Sequence, residues 1–248
     1  VRTQELTILS KWVGLGLRLR GAKKISVDRP LAIIGDIHGR ADLLEKMLQR
    51  LHQKAPKAHK VFVGDYIDRG PSSKEVLGQL VKLTNTTCLL GNHERMMLDF
   101  LSDPCGKGAR WLRHGGYETA QSFGLHEQDA EALQKGLSEQ IDVGTVEWLN
   151  SLPLFYKSGS LYVTHAIPNP NLPIENQSED TLVWGHPASA NKRRVDGYWV
   201  AHGHTIVSAP QISRGRIAID TGAFATDRLT AALLDNSSVN FEVVTTQS

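Results

Sequence analysis

The chain has little cysteine, no long apolar run and almost no net charge. Its two cysteines, Cys88 and Cys105, make no Cys-x-x-Cys pair and are too few for a disulfide framework. A reducing compartment, the cytoplasm, is therefore the expected setting. No stretch reaches the roughly 18 apolar residues of a membrane span, so stable membrane insertion is not expected. Leu6 to Leu19 is mildly apolar, but Lys11 interrupts it and Arg18, Arg20, Lys23 and Lys24 trail it, the wrong order for a signal peptide. With 28 Lys and Arg against 26 Asp and Glu, the formal charge is +2. Basic groups are scattered apart from Lys192-Arg193-Arg194, whereas a nucleic-acid binder carries a basic patch or track, so no nucleic-acid partner is expected. There is no internal repeat and no low-complexity tract. The 248 residues suit one sizeable domain with a core that needs no covalent staples, and a monomer is expected.

What the chain does have is one pattern, used three times. Lys60-Val61-Phe62-Val63 reads as a buried strand and leads into Gly64-Asp65-Tyr66-Ile67-Asp68-Arg69-Gly70. Leu31-Ala32-Ile33-Ile34 leads into Gly35-Asp36-Ile37-His38-Gly39. Thr87-Cys88-Leu89-Leu90 leads into Gly91-Asn92-His93-Glu94. A turn at a strand end can aim polar groups into a shared cleft. Taken alone, residues 64–70 also read as a solvated charged loop. Three such turns do not read as core packing, because buried carboxylates and imidazoles need partners, and divalent metals are the economical partner.

The elements between these turns alternate. Leu43, Leu44, Met47, Leu48 and Leu51 have helical spacing over Asp42 to His52, and a second helix is expected from Ser72 or Ser73 to Leu83, with Pro71 at its head. Strand–helix alternation argues for a layered α/β core with its site at strand ends. His93 to Leu101 reads as a helix, and residues 106–152 as a helical insert. Leu154–Lys157 and Leu161–Thr164 read as a hairpin that delivers His165. Residues 167–180, with three prolines, read as an ordered loop. Leu182-Val183-Trp184 is expected to be a short strand or a 3₁₀ turn. Tyr198 to Ala201 is a strand delivering His202 and His204. Ile217–Ile219, Leu229–Leu234 and Val239–Val244 are expected to close a second sheet. Residues 1–30 are read as an N-terminal extension with a short amphipathic helix, Leu6, Leu9 and Val13 on one face, and residues 31–248 as the catalytic domain.

Gly35 to Gly39, Gly64 to Gly70, Gly91 to Glu94, His165-Ala166 and Gly203-His204-Thr205 share order and spacing with a known family. The chain resembles the phosphoprotein phosphatases within the calcineurin-like metallophosphoesterases. It is most similar to the short bacterial serine/threonine protein phosphatases, whose relatives include symmetrical diadenosine tetraphosphate hydrolases. The resemblance implies an α/β fold, a double β-sheet sandwich flanked by helices (αββα), with the helical insert beside the cleft. It implies two divalent metal ions, Mn²⁺ first, with Fe or Zn as alternatives. Asp36 and His38 would hold one metal, Asp65 would bridge, and Asn92, His165 and His204 would hold the other. Such a mixed oxygen and nitrogen donor set, without thiolates, suits those ions. His93 would protonate the leaving oxygen, with Asp68 on its other ring nitrogen. Arg69 would grip phosphate oxygens through its fixed fork, with Asn92 also at the substrate. Glu94 is expected to orient the loop or cap a helix rather than bind metal.

Three departures from the family pattern stand out. Ile167 follows His165-Ala166 where a glycine is usual. Gly185 and His186 stand where the short bacterial enzymes often carry an isoleucine and a second phosphate-gripping arginine. His186 is therefore a candidate phosphate contact, with Arg193 or Arg194 folding back as the alternative. Ile206 occupies the place where many other metallophosphoesterases have a further metal histidine, and His202 is expected to be a packed or supporting residue. The expected activity is hydrolysis of phosphate monoesters, including phosphoserine and phosphothreonine in proteins, by direct attack of a metal-activated water. The partner would be a phosphorylated protein or a small phosphorylated molecule. The alternatives are hydrolysis of dinucleoside polyphosphates and an inactive metal-binding or partner-binding scaffold.

Overall fold

The computed structural model describes residues 24–189 and 192–247. The helix expected around Leu6, Leu9 and Val13 lies outside the described residues. Three strands, β1 (Leu31–Ile34), β2 (His59–Phe62) and β3 (Thr86–Cys88), run parallel, with Leu31 opposite His59 and Lys60 opposite Thr86. Parallel neighbours need crossover connections, and α1 (Ala41–Lys54) and α2 (Ser73–Leu80) supply them. Helix α1 buries Leu43, Leu44, Met47 and Leu51 on one face. Asp42 in its first turn and Lys54 in its last complement the helix dipole. Helix α2 ends at Leu80, short of the expected Leu83.

The second sheet contains β4 (Phe155–Ser158), β5 (Leu161–Thr164), β6 (Trp199–His202), β7 (Gln211–Ser213) and β8 (Arg216–Ala218), in the order β4-β5-β6-β8-β7. Strands β5, β6 and β8 are parallel neighbours. Leu229–Leu234 and Val239–Val244 do not close this sheet, contrary to the sequence expectation. They are β9 and β10 of the first sheet, whose order is β10-β9-β1-β2-β3, with Leu31 opposite Leu234 and Ile34 opposite Ala231. The reason is burial: β9 is apolar on both faces, with Ala232 and Leu234 in the inter-sheet core and Leu229 and Ala231 on the helix side, which suits a place inside a sheet between β10 and β1 rather than an edge. A second correction concerns Leu182-Val183-Trp184, which end a short helix, α7 (Glu179–Trp184), rather than form a strand or 3₁₀ turn. Ser178 caps it by accepting the Thr181 N–H, and Glu179 and Asp180 suit its positive end.

Alternation along the strands builds the layers. Leu31, Ile33, Val61 and Val63 face Leu161, Val163, Ala201, Ile217 and Ile219 between the sheets. Ala32, Ile34 and Phe62 face the other way, against α1, α2 and α3 (Asn92–Ser102). Tyr162 and Val200 cover the outer face of the second sheet with Ile174 and Leu182. The result is the αββα arrangement. Each fully buried Leu or Ile side chain contributes about 1.5–3 kcal/mol. The segment before β1 also joins the sandwich: Val27 enters the inter-sheet core, and the Ser26 and Asp28 N–H groups donate to Ser160 and Ser158.

Between α3 and β4 the chain forms a 3₁₀ stretch (Lys107–His114), α4 (Gly116–Ser122), α5 (Ala130–Gln140) and α6 (Val143–Asn150). Trp111, Leu133, Leu137 and Leu149 share one apolar cluster with Met96 and Phe100 of α3, so these helices are anchored on the α/β core. A single helical turn, α8 (Ala223–Thr226), precedes β9. Among the described residues, no helix is long and apolar enough to cross a membrane.

Candidate metal centre and active site

Six parallel strands end on one side of the sandwich, and each end carries a polar residue. Asp36 and His38 follow β1, Asp65 follows β2, and Asn92 opens α3 just after β3. In the second sheet His165 follows β5, His204 follows β6 and Asp220 follows β8. The backbone is bent hard to do this. His38, Asp65, Asp68, Arg69 and His204 all have positive φ, between +46° and +73°. Such left-handed non-glycine residues cost about 1–3 kcal/mol each and persist where surrounding contacts over-determine them. Glu94 is one such contact: its carboxylate accepts the N–H groups of Asp65 (2.8 Å), Tyr66 (2.7 Å) and Gly91 (3.1 Å). It thus both holds the 64–70 loop and caps α3. The fit leaves no room at Gly91, where a Cβ would lie 2.3 Å from Asp65 Oδ1.

Two groups of ligand atoms share Asp65. His38, Asp65 and His93 form one, and Asp65, His165 and His204 the other. His38 Nε2 is 3.6 Å from Asp65 Oδ2, and His165 Nε2 is 3.4 Å from Asp65 Oδ1. Asn92 Oδ1 lies 2.9 Å from both His165 Nε2 and His204 Nδ1. Asp36 stands beside the second group, its oxygens accepting the His204 N–H at 3.0 and 3.2 Å.

The chemistry of these donors fits bound cations. His165 Nδ1 donates to the Val63 carbonyl at 3.0 Å, and burial pushes its pKa down to about 4. A neutral ring with Nδ1 protonated presents a lone pair at Nε2. That lone pair faces the oxygens of Asn92 and Asp65. His38 repeats the arrangement: Nδ1 donates to the Ile67 carbonyl at 2.8 Å, and burial lowers the ring to about 3. Acceptors aimed at one another with no proton between them repel unless a cation lies among them. Asp36 adds to the excess of negative charge. Burial, then Asp220 and Asp65, raise its carboxyl well above the usual range.

His93 and Asp68 form a buried pair, Nδ1 to Oδ2, at 2.6 Å. Burial pulls His93 down, but Asp65 and Asp68 outweigh it and hold the imidazole above its ordinary value. Its other nitrogen, Nε2, is 3.9 Å from Asp65 Oδ2 and so faces the ligand cluster. The Arg69 guanidinium lies over the Phe224 ring, 4.7 Å from its centroid, with one nitrogen 3.4 Å from His38 Nε2.

The structure therefore brings together Asp36, His38, Asp65, Asp68, Arg69, Asn92, His93, His165 and His204. It places the remaining candidates differently. The His186 ring contacts Asn169, with Nε2 3.5 Å from Nδ2. Arg194 does not fold back as a phosphate fork: its guanidinium pairs with Asp196 and donates to the carbonyls of Asn169 (3.1 Å) and Leu172 (2.8 Å). Arg193 is half-buried in the same loop. His202 is buried in β6, with Nδ1 3.0 Å from the Gly203 carbonyl oxygen.

Four residues near the site escaped the sequence reading. Asp220 follows an apolar strand, the same signal that marks Asp36 and Asp65. Phe224, Trp111 and Thr119 reach the site through contacts distant in sequence. The Trp111 Nε1–H donates to Asp68 Oδ1 (3.0 Å) and Oδ2 (2.9 Å), and Thr119 Oγ1 donates to Asp68 Oδ1 (2.6 Å).

Residues 29–217 match the family model described as calcineurin-like phosphoesterase. The chain belongs to that family of metal-dependent phosphoric ester hydrolases. It is 29% identical over 228 residues to bis(5'-nucleosyl)-tetraphosphatase PrpE (asymmetrical) of Oceanobacillus iheyensis, covering 80% of this chain and 86% of the relative. It is also 29% identical over 214 residues to serine/threonine-protein phosphatase 1 of Salmonella typhimurium, covering 82% and 91%. In fold it is similar to the cold-active protein-tyrosine phosphatase of a psychrophilic Shewanella, with TM-score 0.62, 17% identity, and 91% and 82% of the two chains covered. The family uses a dinuclear metal centre, and among the described residues the side chains gathered around Asp65 could hold metal ions.

Proposed function

We propose that the protein is a phosphatase that hydrolyses phosphate monoesters, including phosphoserine and phosphothreonine in proteins, by direct attack of water on phosphorus. The observation that carries this reading is the His93–Asp68 pair at 2.6 Å, facing two ligand groups joined by one carboxylate. Asp36, His38 and Asp65 would hold one metal, and Asp65, Asn92, His165 and His204 the other, with Mn²⁺ first and Fe or Zn as alternatives. When bound, the metals would lower the pKa of a water and neutralise phosphoryl charge. Arg69 grips nonbridging oxygens through its fork. His93 Nε2 gives its proton to the leaving oxygen as the phosphorus–oxygen bond breaks, while Asp68 holds Nδ1 and stabilises the charged ring. Water supplies the new oxygen on phosphorus, so no phosphoenzyme forms. The reading places the enzyme in the reducing cytoplasm, where the exposed thiol of Cys105 stays reduced.

A second reading, hydrolysis of dinucleoside polyphosphates, is favoured by the 29% identity to a bis(5'-nucleosyl)-tetraphosphatase. The same dyad and the same ligands serve both reactions. The test is kcat/KM for a phosphoserine peptide and for diadenosine tetraphosphate on Mn²⁺-loaded protein. Higher kcat/KM on the phosphopeptide supports the first reading. Turnover of the dinucleotide alone supports the second, and turnover of neither overturns both.

A further inference from the structure

The geometry points to Trp111 and Thr119, both from the helical insert, as positioning residues for the His93 proton donor. The inference rests on the reading of His93 as general acid.

Asp68 is fully buried, and among the described residues no Lys or Arg side chain pairs with it. Its carboxylate is satisfied by three side-chain donors: His93 on Oδ2, Thr119 on Oδ1, and the Trp111 indole N–H shared between both oxygens. Two of these three come from the insert, 43 and 51 residues away in sequence. A shared N–H on one edge and a hydroxyl on Oδ1 fix the plane of the carboxylate. The remaining lone pair of Oδ2 is then aimed at His93 Nδ1. The Asp68 N–H donates to Thr119 Oγ1 (2.9 Å) and to Ser73 Oγ (3.0 Å), so the threonine orients both ends of the residue.

A core tryptophan needs some acceptor for its N–H, and any buried carbonyl would serve. Here the acceptor is the carboxylate of the dyad, and the surrounding chain is shaped to press the indole against it. At Gly116 a Cβ would lie 2.6 Å from the indole ring. At Gly115, where φ is +107°, a Cβ would lie 2.7 Å from the Arg69 backbone nitrogen and 3.1 Å from Asp68 Cβ. Phe100 backs the indole from the other side at 4.9 Å between ring centroids. The insert thus closes on the dyad through a glycine pair and two hydrogen-bond donors.

Losing the indole N–H frees the Asp68 carboxylate to turn, so the His93 ring it holds no longer presents Nε2 squarely to the leaving oxygen. The defect must therefore grow with the basicity of the leaving group.

The test compares Trp111→Phe, Thr119→Val and Thr119→Ser with wild type, all metal-loaded, on an alkyl phosphate and on dinitrophenyl phosphate. Trp111→Phe and Thr119→Val should lower kcat on the alkyl ester about tenfold, a part of the roughly 10²–10⁴-fold that a general acid supplies. The loss on the dinitrophenyl ester should stay under about threefold, because that leaving group needs little proton assistance. Thr119→Ser, which keeps the hydroxyl, should restore the alkyl rate. In zinc-loaded protein the low-field proton resonance of the His93–Asp68 hydrogen bond should move in Trp111→Phe. Equal losses on both esters, with a lowered melting temperature, would mean that these residues only support the fold. No loss in Trp111→Phe and Thr119→Val would also overturn the proposal. His93→Asn is the reference: if it too shows no dependence on leaving group, the general-acid reading itself falls. If His93→Asn shows that dependence and the insert variants do not, only the present inference falls.

Discussion

Asp68 Oδ2 lies 2.6 Å from His93 Nδ1, which leaves the far nitrogen of the ring to face Asp65. On the proposed reading this contact makes His93 a proton donor, although its chain neighbour Asn92 would hold metal. His93→Asn should lower kcat on a phosphopeptide by roughly 10²–10⁴-fold, with bound metal nearly unchanged. Asp68→Asn should give a smaller loss of the same kind. Kinetics paired with elemental analysis checks both. A His93→Asn protein that has lost one metal would show that the histidine is a ligand instead.

Glu94 makes a stability prediction. Its Oε2 accepts the Asp65 and Gly91 N–H groups and its Oε1 that of Tyr66, all buried. Glu94→Gln turns one acceptor into a donor facing other donors. The expected cost is about 2 kcal/mol or more, since each buried polar group left unpaired costs roughly 1–3 kcal/mol. Urea denaturation of the metal-free protein measures it without interference from ligand occupancy. A change within about 0.5 kcal/mol, the level of an ordinary surface substitution, would show that the loop does not depend on this carboxylate.

The proposed phosphate contact of Arg69 makes a third. Arg69 is held over Phe224 beside His38, whereas Arg194 is committed to Asp196 and two loop carbonyls. Arg69→Ala should raise KM for monoesters at least about tenfold, in line with a lost charge-assisted bidentate contact. Arg194→Ala should leave KM within about twofold while lowering the melting temperature, because it frees loop carbonyls rather than phosphate. His186→Arg should lower KM if the restored guanidinium reaches the cleft. Steady-state kinetics on the three variants decides. A large KM increase in Arg194→Ala alone would move the clamp to the other side of the site.

The site was legible in sequence where its residues follow strands. Asp36, Asp65 and Asn92 each come just after an apolar run and a glycine, so the chain itself marks where the backbone turns and what it presents. Sheet membership was less legible. Leu229–Leu234 is an apolar strand on any reading, but a strand's own composition does not name its partner, and β7 with its exposed Gln211-Ile212-Ser213 carries no strand signal. Leu182-Val183-Trp184 is too short for periodicity to separate helix from strand. Trp111 and Thr119 looked like ordinary insert residues, because their contact with Asp68 exists only after the insert packs.

On the proposed reading Asp65 joins two metal sites. The most direct measurement is metal content with activity, by elemental analysis of wild type and Asp65→Asn after chelation and reloading with Mn²⁺. Wild type should bind about two ions per chain, as a two-metal site requires, and regain phosphatase activity only on reloading. Asp65→Asn should lose both ions together, since each ligand group depends on that carboxylate. Full activity in the chelated wild type, or two retained ions in Asp65→Asn, would contradict the account.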